Sequence, residues 1–348
     1  MSAMLSGLAN ACMQVGRPVT PTTSLPPTST PTRGVFTPTP TPVPLDMSAE
    51  YEAQTFAGVP YPYAIAFDGT HLWVSHFNEA RVSKMGQDGQ VAASVPVGQQ
   101  PRTIAYAAGY VWVGNGGEST VTKIDPATAR VIATYTVGGG FSAPVDIEYD
   151  GAHLWVVGSW GNSMYQMTVD GAVLQQVPMR GGHPSPWDAA LDDQGNIWVA
   201  NLNIPEAQKF DKDGRMIGRY NVGPLPPGQE DNPGRGGEGP DALVFDGRHM
   251  WVAVNWLNRL VQLTTTGETV REVAVGRWPY YLAIDGRYVW SVDFGADAVS
   301  RVDVATGQVG RLPVGKDPTS MAVAGDNLWV ANSGDNSVTK ITRKRGGQ

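Results

Sequence analysis

A tryptophan flanked on its N-terminal side by an apolar residue and on its C-terminal side by an apolar or small one recurs seven times in this 348-residue chain. The positions are Trp73, Trp112, Trp155, Trp198, Trp251, Trp290 and Trp329, with gaps of 39, 43, 43, 53, 39 and 39 residues. Around each lies one frame: a proline, a short apolar strand, an Asp-Gly type turn, the Trp strand, a polar loop, a third strand, a second turn, and a fourth strand ending in Val-Gly. The unit from Pro279 through Asp285-Gly286, Trp290, Val302 and Thr306-Gly307 to Val314-Gly315 carries it in full. Asp-Gly and Thr-Gly between β-branched runs are hairpin signals, because a tight turn that matches strand twist needs residues tolerant of positive φ. Four antiparallel strands per unit of about 40 residues, repeated, describe a β-propeller. The chain is therefore expected to be all-β, with seven four-stranded blades and one tryptophan per blade packed between neighbouring sheets.

Ring closure follows from the ends of the repeat. The last unit stops after its third strand, near Ile341, while residues 51 to 58, ahead of the first proline, resemble the missing fourth strand. Pairing the two ends would cover an otherwise open sheet edge. His71, His153 and His249 fall in the first hairpins of three units, where a turn-capping role is expected.

Composition agrees. Gly (42) and Pro (27) are abundant and only 16% of residues are charged, which disfavours long helices. The formal charge of −7 disfavours nucleic acid as a partner. No run of 18 apolar residues marks a membrane span, and the single Cys12 leaves no internal disulfide or cysteine zinc cluster.

The first 47 residues read differently. Residues 1–12, small and apolar and ending at Cys12, resemble the tail of a lipoprotein signal without its basic start, with Cys12 as the lipidation site. Residues 13–47 read as a disordered stalk: positions 18 to 45 hold nine Pro and nine Thr, a composition that cannot bury a core. At about 3.1 Å per residue, such a tether reaches roughly 90 Å. Residues 48–348 would be the propeller. The expectation is an exported, surface-anchored or secreted monomer that meets a membrane only through a lipid.

Two stretches carry a family resemblance. Leu328-Trp329-Val330-Ala331-Asn332-Ser333-Gly334-Asp335-Asn336 and Lys123-Ile124-Asp125-Pro126-Ala127-Thr128 resemble YVTN-type propeller repeats, and Gly195-Asn196-Ile197-Trp198-Val199-Ala200-Asn201 through Lys209-Phe210-Asp211 resembles an NHL repeat. Among enzymes, the chain is similar to the streptogramin (virginiamycin B) lyases, seven-bladed propellers whose repeats also centre on a leucine-tryptophan strand. That resemblance implies a base-assisted elimination using a Glu-x-His pair with magnesium. No Glu-x-His occurs here, so the family's residues have no match; His76 and His183 remain as catalytic candidates. Gluconolactonase-like propellers, the hydrolytic relatives, would need a carboxylate and amide metal cluster that no motif identifies.

The departures from the repeat point to a site. Loops joining strands two and three, and loops joining one blade to the next, emerge on one face of a propeller. Trp160, Trp187, Trp256 and Trp278, the tryptophans outside the repeated slot, fall in or beside those loops. So do Tyr63, Phe77, Tyr280, Tyr281, Phe294 and the insertion Gly223–Gly239, while the turns of the opposite face are short. Aromatic side chains around a concavity are the default ligand surface. Arg102, Arg277 and His183 lie on the same rim and suit an anionic group. Asp146, Asp188, Asp241 and Asp293 would form an acidic ring suited to Ca²⁺, Mg²⁺ or a cationic group, although hydrogen bonding between inner strands explains them equally well. The resulting expectation is a binding module for a small molecule, glycan or protein; the alternative is a lyase or lactonase-type hydrolase using the same face.

Overall fold

The structure is a computed structural model that describes residues 44–140, 142–224 and 239–344. Seven sheets of antiparallel strands form the blades, six of them from four sequential strands that run from the central channel outward and the seventh from three such strands and one from the start of the described residues. The inner strands are Pro62–Phe67, Pro101–Ala107, Pro144–Tyr149, Pro186–Leu191, Pro240–Phe245, Pro279–Ile284 and Pro318–Ala324, so that each opens on a proline. The seven-bladed propeller expected from the tryptophan spacing is the fold. Residues 1–43, with Cys12 and most of the expected stalk, lie outside the described residues, as do 225–238 of the insertion.

Closure occurs as the sequence suggested. Tyr51–Ala57 pairs antiparallel with Ser337–Arg343 and forms the outer strand of the seventh blade, in continuous register from Tyr51↔Arg343 to Ala57↔Ser337. One addition was not foreseen. Leu45–Asp46 forms a short parallel bridge to the outer edge of the sixth blade, and Met47 beside it is fully buried against Leu312, so the propeller takes up chain from residue 45 and not from 48. Gly310 makes this possible, since a Cβ at that position would collide with the Met47 side chain.

All seven repeated tryptophans have 0% exposure. Five of them are bound to the turn that precedes them. The indole N–H of Trp73, Trp155, Trp251 and Trp290 donates to the carboxylate of Asp68, Asp150, Asp246 and Asp285, five residues earlier, at 2.7 to 2.9 Å, and that of Trp198 donates to Asp192 at 3.1 Å. In the first three of these blades the same aspartate also accepts from the backbone N–H of His71, His153 or His249. These histidines therefore sit in capped turns, as expected, with their backbone and not their rings supplying the bond. Gly286, with φ of 89°, shows why the turn reads Asp-Gly. Burial alone would raise Asp68, Asp150, Asp192 and Asp246, but backbone and indole N–H groups at Asp68, Asp150 and Asp246, and the Lys209 ammonium with Asn196 and the indole at Asp192, outweigh it and hold all four carboxyls below the ordinary value.

Neighbouring blades are joined by a second repeated device. Lys84, Lys123, Lys209 and Lys340 each lie over their own blade's tryptophan ring, and the ammonium donates to a carbonyl in the outer turn of the following blade: Pro126, Val169, Thr265 and Gln87. The Lys340 bond to Gln87 spans the seam where the ring closes.

The turn aspartates are expected to matter where they hold an indole. Asp285→Ala leaves the Trp290 N–H buried without an acceptor and should lower the unfolding free energy by about 1–3 kcal/mol. Asp326→Ala should stay within about 0.5 kcal/mol, because the Trp329 indole N–H has no partner. Denaturant titration of the two variants checks the contrast. Below the ordinary carboxyl value of 3.8, protonation of Asp68, Asp150, Asp192 and Asp246 should remove their contribution, so stability falls as pH drops through their lowered folded values.

Candidate functional site

The inner strands reach the channel through a corner that is repeated around the ring. In six blades the residue ahead of the proline has positive φ: Tyr61, Gln100, Ala143, Ser185, Trp278 and Asp317, between 43° and 55°. The carbonyl of each accepts a backbone N–H from just beyond strand two (Phe77, Gly116, Ser159, Leu202, Phe294 and Ser333), which holds the corner in place. The proline then fixes φ and brings no donor. Directly after it, the pairing with strand two slips in all seven blades. Such a bulge leaves one residue unpaired and re-aims its side chain. The residues in that slot are Tyr63, Arg102, Val145, Trp187, Asp241, Tyr280 and Thr319, and every one lines a central cavity of about 670 Å³.

These side chains form a layer across one end of the channel. The hydroxyls of Tyr63 and Tyr280 are hydrogen-bonded at 2.6 Å. The Trp187 ring meets Tyr280 edge-on at 6.4 Å, and the Arg102 guanidinium lies 5.8 Å from the Trp187 ring and 5.1 Å from Phe77. Phe77 in turn stands 5.1 Å from Tyr63, and Phe294 stands 5.8 Å from Tyr280 and 6.4 Å from Trp278. Of the aromatic residues expected on the rim, six are thus joined in one cluster of rings. Tyr281 lies one residue deeper, in the cavity wall. Two expected members stand apart from the channel: Trp160 is 66% exposed in the loop after strand two of the third blade, and Trp256 packs against the core of the fifth. Arg277 covers the Trp278 ring at 4.3 Å, outside the cavity wall.

Below this layer the cavity is acidic. Asp146 and Asp188 occupy the second slot after their prolines and Glu148 the fourth; all three line the cavity with Asp241. Asp146 accepts the Ala189 N–H at 3.1 Å and Asp188 the Leu243 N–H at 2.6 Å, so each ties its inner strand to that of the next blade. Burial raises the Asp146 carboxyl to about 6 and raises Asp188 and Glu148 well above their ordinary range; the negative charge of Asp146 pushes both further up. Asp241 has 1% exposure; burial raises it well above the ordinary value, with a hydrogen bond from the Asn255 amide offsetting only part of that cost. Burial raises the phenols of Tyr63 and Tyr280 too, and both hydroxyls feel Arg102 and Asp241 with opposite sign.

Asp293 does not join the other aspartates. It is fully buried beside Ser291 and Ser300, accepts both hydroxyls and the Gly276 N–H, and pins the loop that enters the sixth blade; burial raises it to about 6. Among the described residues no cluster of three or more His, Cys, Asp or Glu has metal-site geometry. Neither candidate histidine lines the cavity. The His76 ring is held between the Pro60 carbonyl and the Ser83 hydroxyl at 2.5 and 2.7 Å, and burial lowers it, so it is a neutral structural imidazole. His183 sits exposed at positive φ in the loop leading to the fourth blade. Glu148 escaped the sequence reading. Its signal was present: the fourth slot holds Ala66, Ala105, Ala190, Val244, Ala283 and Ala322 in the other blades, and a carboxylate there breaks the pattern.

A seven-bladed propeller with a side-chain layer and an acidic channel is the class that fold and cavity define. By sequence, the chain matches no protein-family model and no curated protein. By structure it is similar to virginiamycin B lyase from Staphylococcus aureus, at TM-score 0.72 and 18% identity over 84% of this chain and 99% of that one. A streptogramin B lyase structure gives TM-score 0.73 at 16% identity over 85% and 99% of the two chains. Hydrazine synthase of Kuenenia stuttgartiensis gives 0.68 at 18% identity over 82% and 96%. At these identities the likeness is one of fold.

The raised carboxyls make the channel sensitive to pH in the sense opposite to the turn aspartates. Asp146 keeps its proton to about pH 6 in the folded protein but loses it near 3.8 when unfolded. The folded state therefore binds more protons over that window, and stability declines as pH rises through it. Asp146→Asn can still accept from Ala189, and it should flatten the fall in melting temperature between pH 4 and about 6, measured by calorimetry.

Proposed function

We propose that the protein is a binding module that takes a cationic small molecule into the central channel, with the aromatic layer against its body and the carboxylates about its charge. The observation that carries this reading is a cavity of about 670 Å³ walled by Asp146, Glu148, Asp188 and Asp241, none of which forms an ion pair with a basic side chain of the described residues. Buried carboxylates raised in this way are ready to ionise for an entering cation, and aromatic faces attract the same charge. Aromatic rings also supply contact area at low entropic cost. The lyase neighbours support a propeller channel as a place for small molecules only at the level of fold. The position of His76 and His183 outside the cavity favours binding over a histidine-assisted elimination.

Benzylamine, an aromatic cation, should raise the melting temperature in a saturable way, and neutral benzyl alcohol at the same concentration should not. Benzylamine affinity should increase several-fold from pH 5 to pH 7.5, because below about 6 the ligand must expel the Asp146 proton. Among the described residues, the other charged and titratable groups lining this space are Asp188, Glu148, Asp241, Arg102 and the tyrosines at 63, 106, 149, 280 and 281. Equal shifts by amine and alcohol, or none by either, would remove the reading.

We further propose that the module is exported and held at a surface by a lipid on Cys12, a reading supported by the Pro/Thr composition of residues 18 to 45. The full-length product should partition into detergent, and Cys12→Ser should release it to the aqueous phase; identical partitioning of the two forms would count against the anchor.

A further inference from the structure

Among the described residues, Arg102 is the one basic side chain in the cavity wall. No carboxylate of these residues stands within ion-pair distance of it, its Nε is buried without an acceptor, and the guanidinium lies over Phe77 and Trp187. An arginine packed on two rings and bonded to the Tyr63 hydroxyl, with its Nε still without an acceptor, is suited to a carboxylate. The acidic wall spans several depths: Asp241 shares the first slot, Asp146 and Asp188 stand one slot deeper, and Glu148 lies deepest. Arg102 occupies the first slot of its inner strand and Glu148 the fourth slot of the neighbouring one. Three residues at about 3.3 Å each place these layers roughly 10 Å apart along the channel. Asp241, buried against the same cavity, has no basic partner among the described residues.

We propose that the ligand is a zwitterion lying along the channel axis, its carboxylate on Arg102 and its ammonium group at Glu148, the deepest carboxylate of the wall, with the ring layer around an apolar or planar body between the two charges. This rests on the cation-binding reading above and adds the anionic end and the spacing. The separation of the layers excludes free glycine-like α-amino acids, whose charges are adjacent, and selects molecules in which several atoms part the amine from the acid, such as ω-amino acids or short peptides.

The probe is 4-(aminomethyl)benzoate, whose planar ring holds amine and carboxylate at opposite ends, compared by calorimetry with benzylamine, which has only the cation, 4-methylbenzoate, which has only the anion, and glycine. The zwitterion should bind at least tenfold more tightly than benzylamine, with no measurable binding of glycine. Arg102→Met should bring the ratio of zwitterion to benzylamine affinity down to about one, and Arg102→Lys should restore part of the advantage; melting curves certify that each variant is folded. Equal affinity for the zwitterion and benzylamine overturns the inference and leaves the cation reading intact. An advantage that survives in Arg102→Met, or glycine binding as tightly as the longer zwitterion, also overturns it. Binding of 4-methylbenzoate without benzylamine, or of none of the probes, sinks both readings together.

Discussion

Burial of one indole between each pair of neighbouring sheets is the constraint from which the rest of the molecule follows. A tryptophan ring removes about 150–250 Å² from water, and with seven such rings at 0% exposure the blades must stack closely and keep a constant offset. The indole N–H needs an acceptor in that dry space, and the turn aspartate five or six residues earlier supplies it in five blades. One hydrogen bond thus connects the tight turn at the outer surface of the hairpin to the packing between sheets. Lysines reaching from one blade to the outer turn of the next add a polar tie at the same level.

Regular stacking leaves little freedom to the blades, and variation is displaced to the channel. The corner that leads into each inner strand combines a positive φ, a proline and a slipped register, so one side chain per blade is turned inward without disturbing the sheet. Seven such slots form a ring whose residues can change almost independently. Here they hold two tyrosines, a tryptophan, an arginine, an aspartate, a valine and a threonine. Carboxylates one and three residues deeper make the interior acidic, while Arg102 stays in the ring layer, so the channel has an electrical polarity along its axis.

Much of this was legible in the residues because a repeat exposes its own exceptions. The tryptophan spacing specified seven blades, and the unpaired ends specified which strand closes the ring. Tyr63, Trp187 and Tyr280 stood out as aromatic residues in or beside the loops of one face, Arg102 as a cation on its rim and Asp241 as one of its acids; that all five share one slot after the proline emerges from the register. What the pattern did not convey was depth. Asp293 follows its tryptophan by three and was grouped with the channel aspartates, yet that position ends strand two and faces the interblade loop, where Ser291 and Ser300 bind it. Glu148 lies on an inner strand among apolar neighbours and was passed over, although alanines at the equivalent slot in most blades left the space it occupies. Trp160 and Trp256 lie in loops of the elaborated face, and whether such a ring turns to the channel, to solvent or to the blade depends on tertiary packing. The parallel bridge from Leu45 had no repeat partner to announce it, and only Gly310, left bare to admit Met47, hints at it.

The way the N-terminal segment is fastened decides how the ring would respond to tension. Leu45–Asp46 lies along the sixth blade and Tyr51–Ala57 along the seventh, with Arg301 gripping Glu50 and the Tyr51 hydroxyl between them. A pull applied at Leu45 acts first on a two-residue bridge and a buried Met47, and only after their release on the seven paired residues that seal the circle. The short bridge is therefore a sacrificial clasp: it gives way first, and the closure of the propeller is spared until it has.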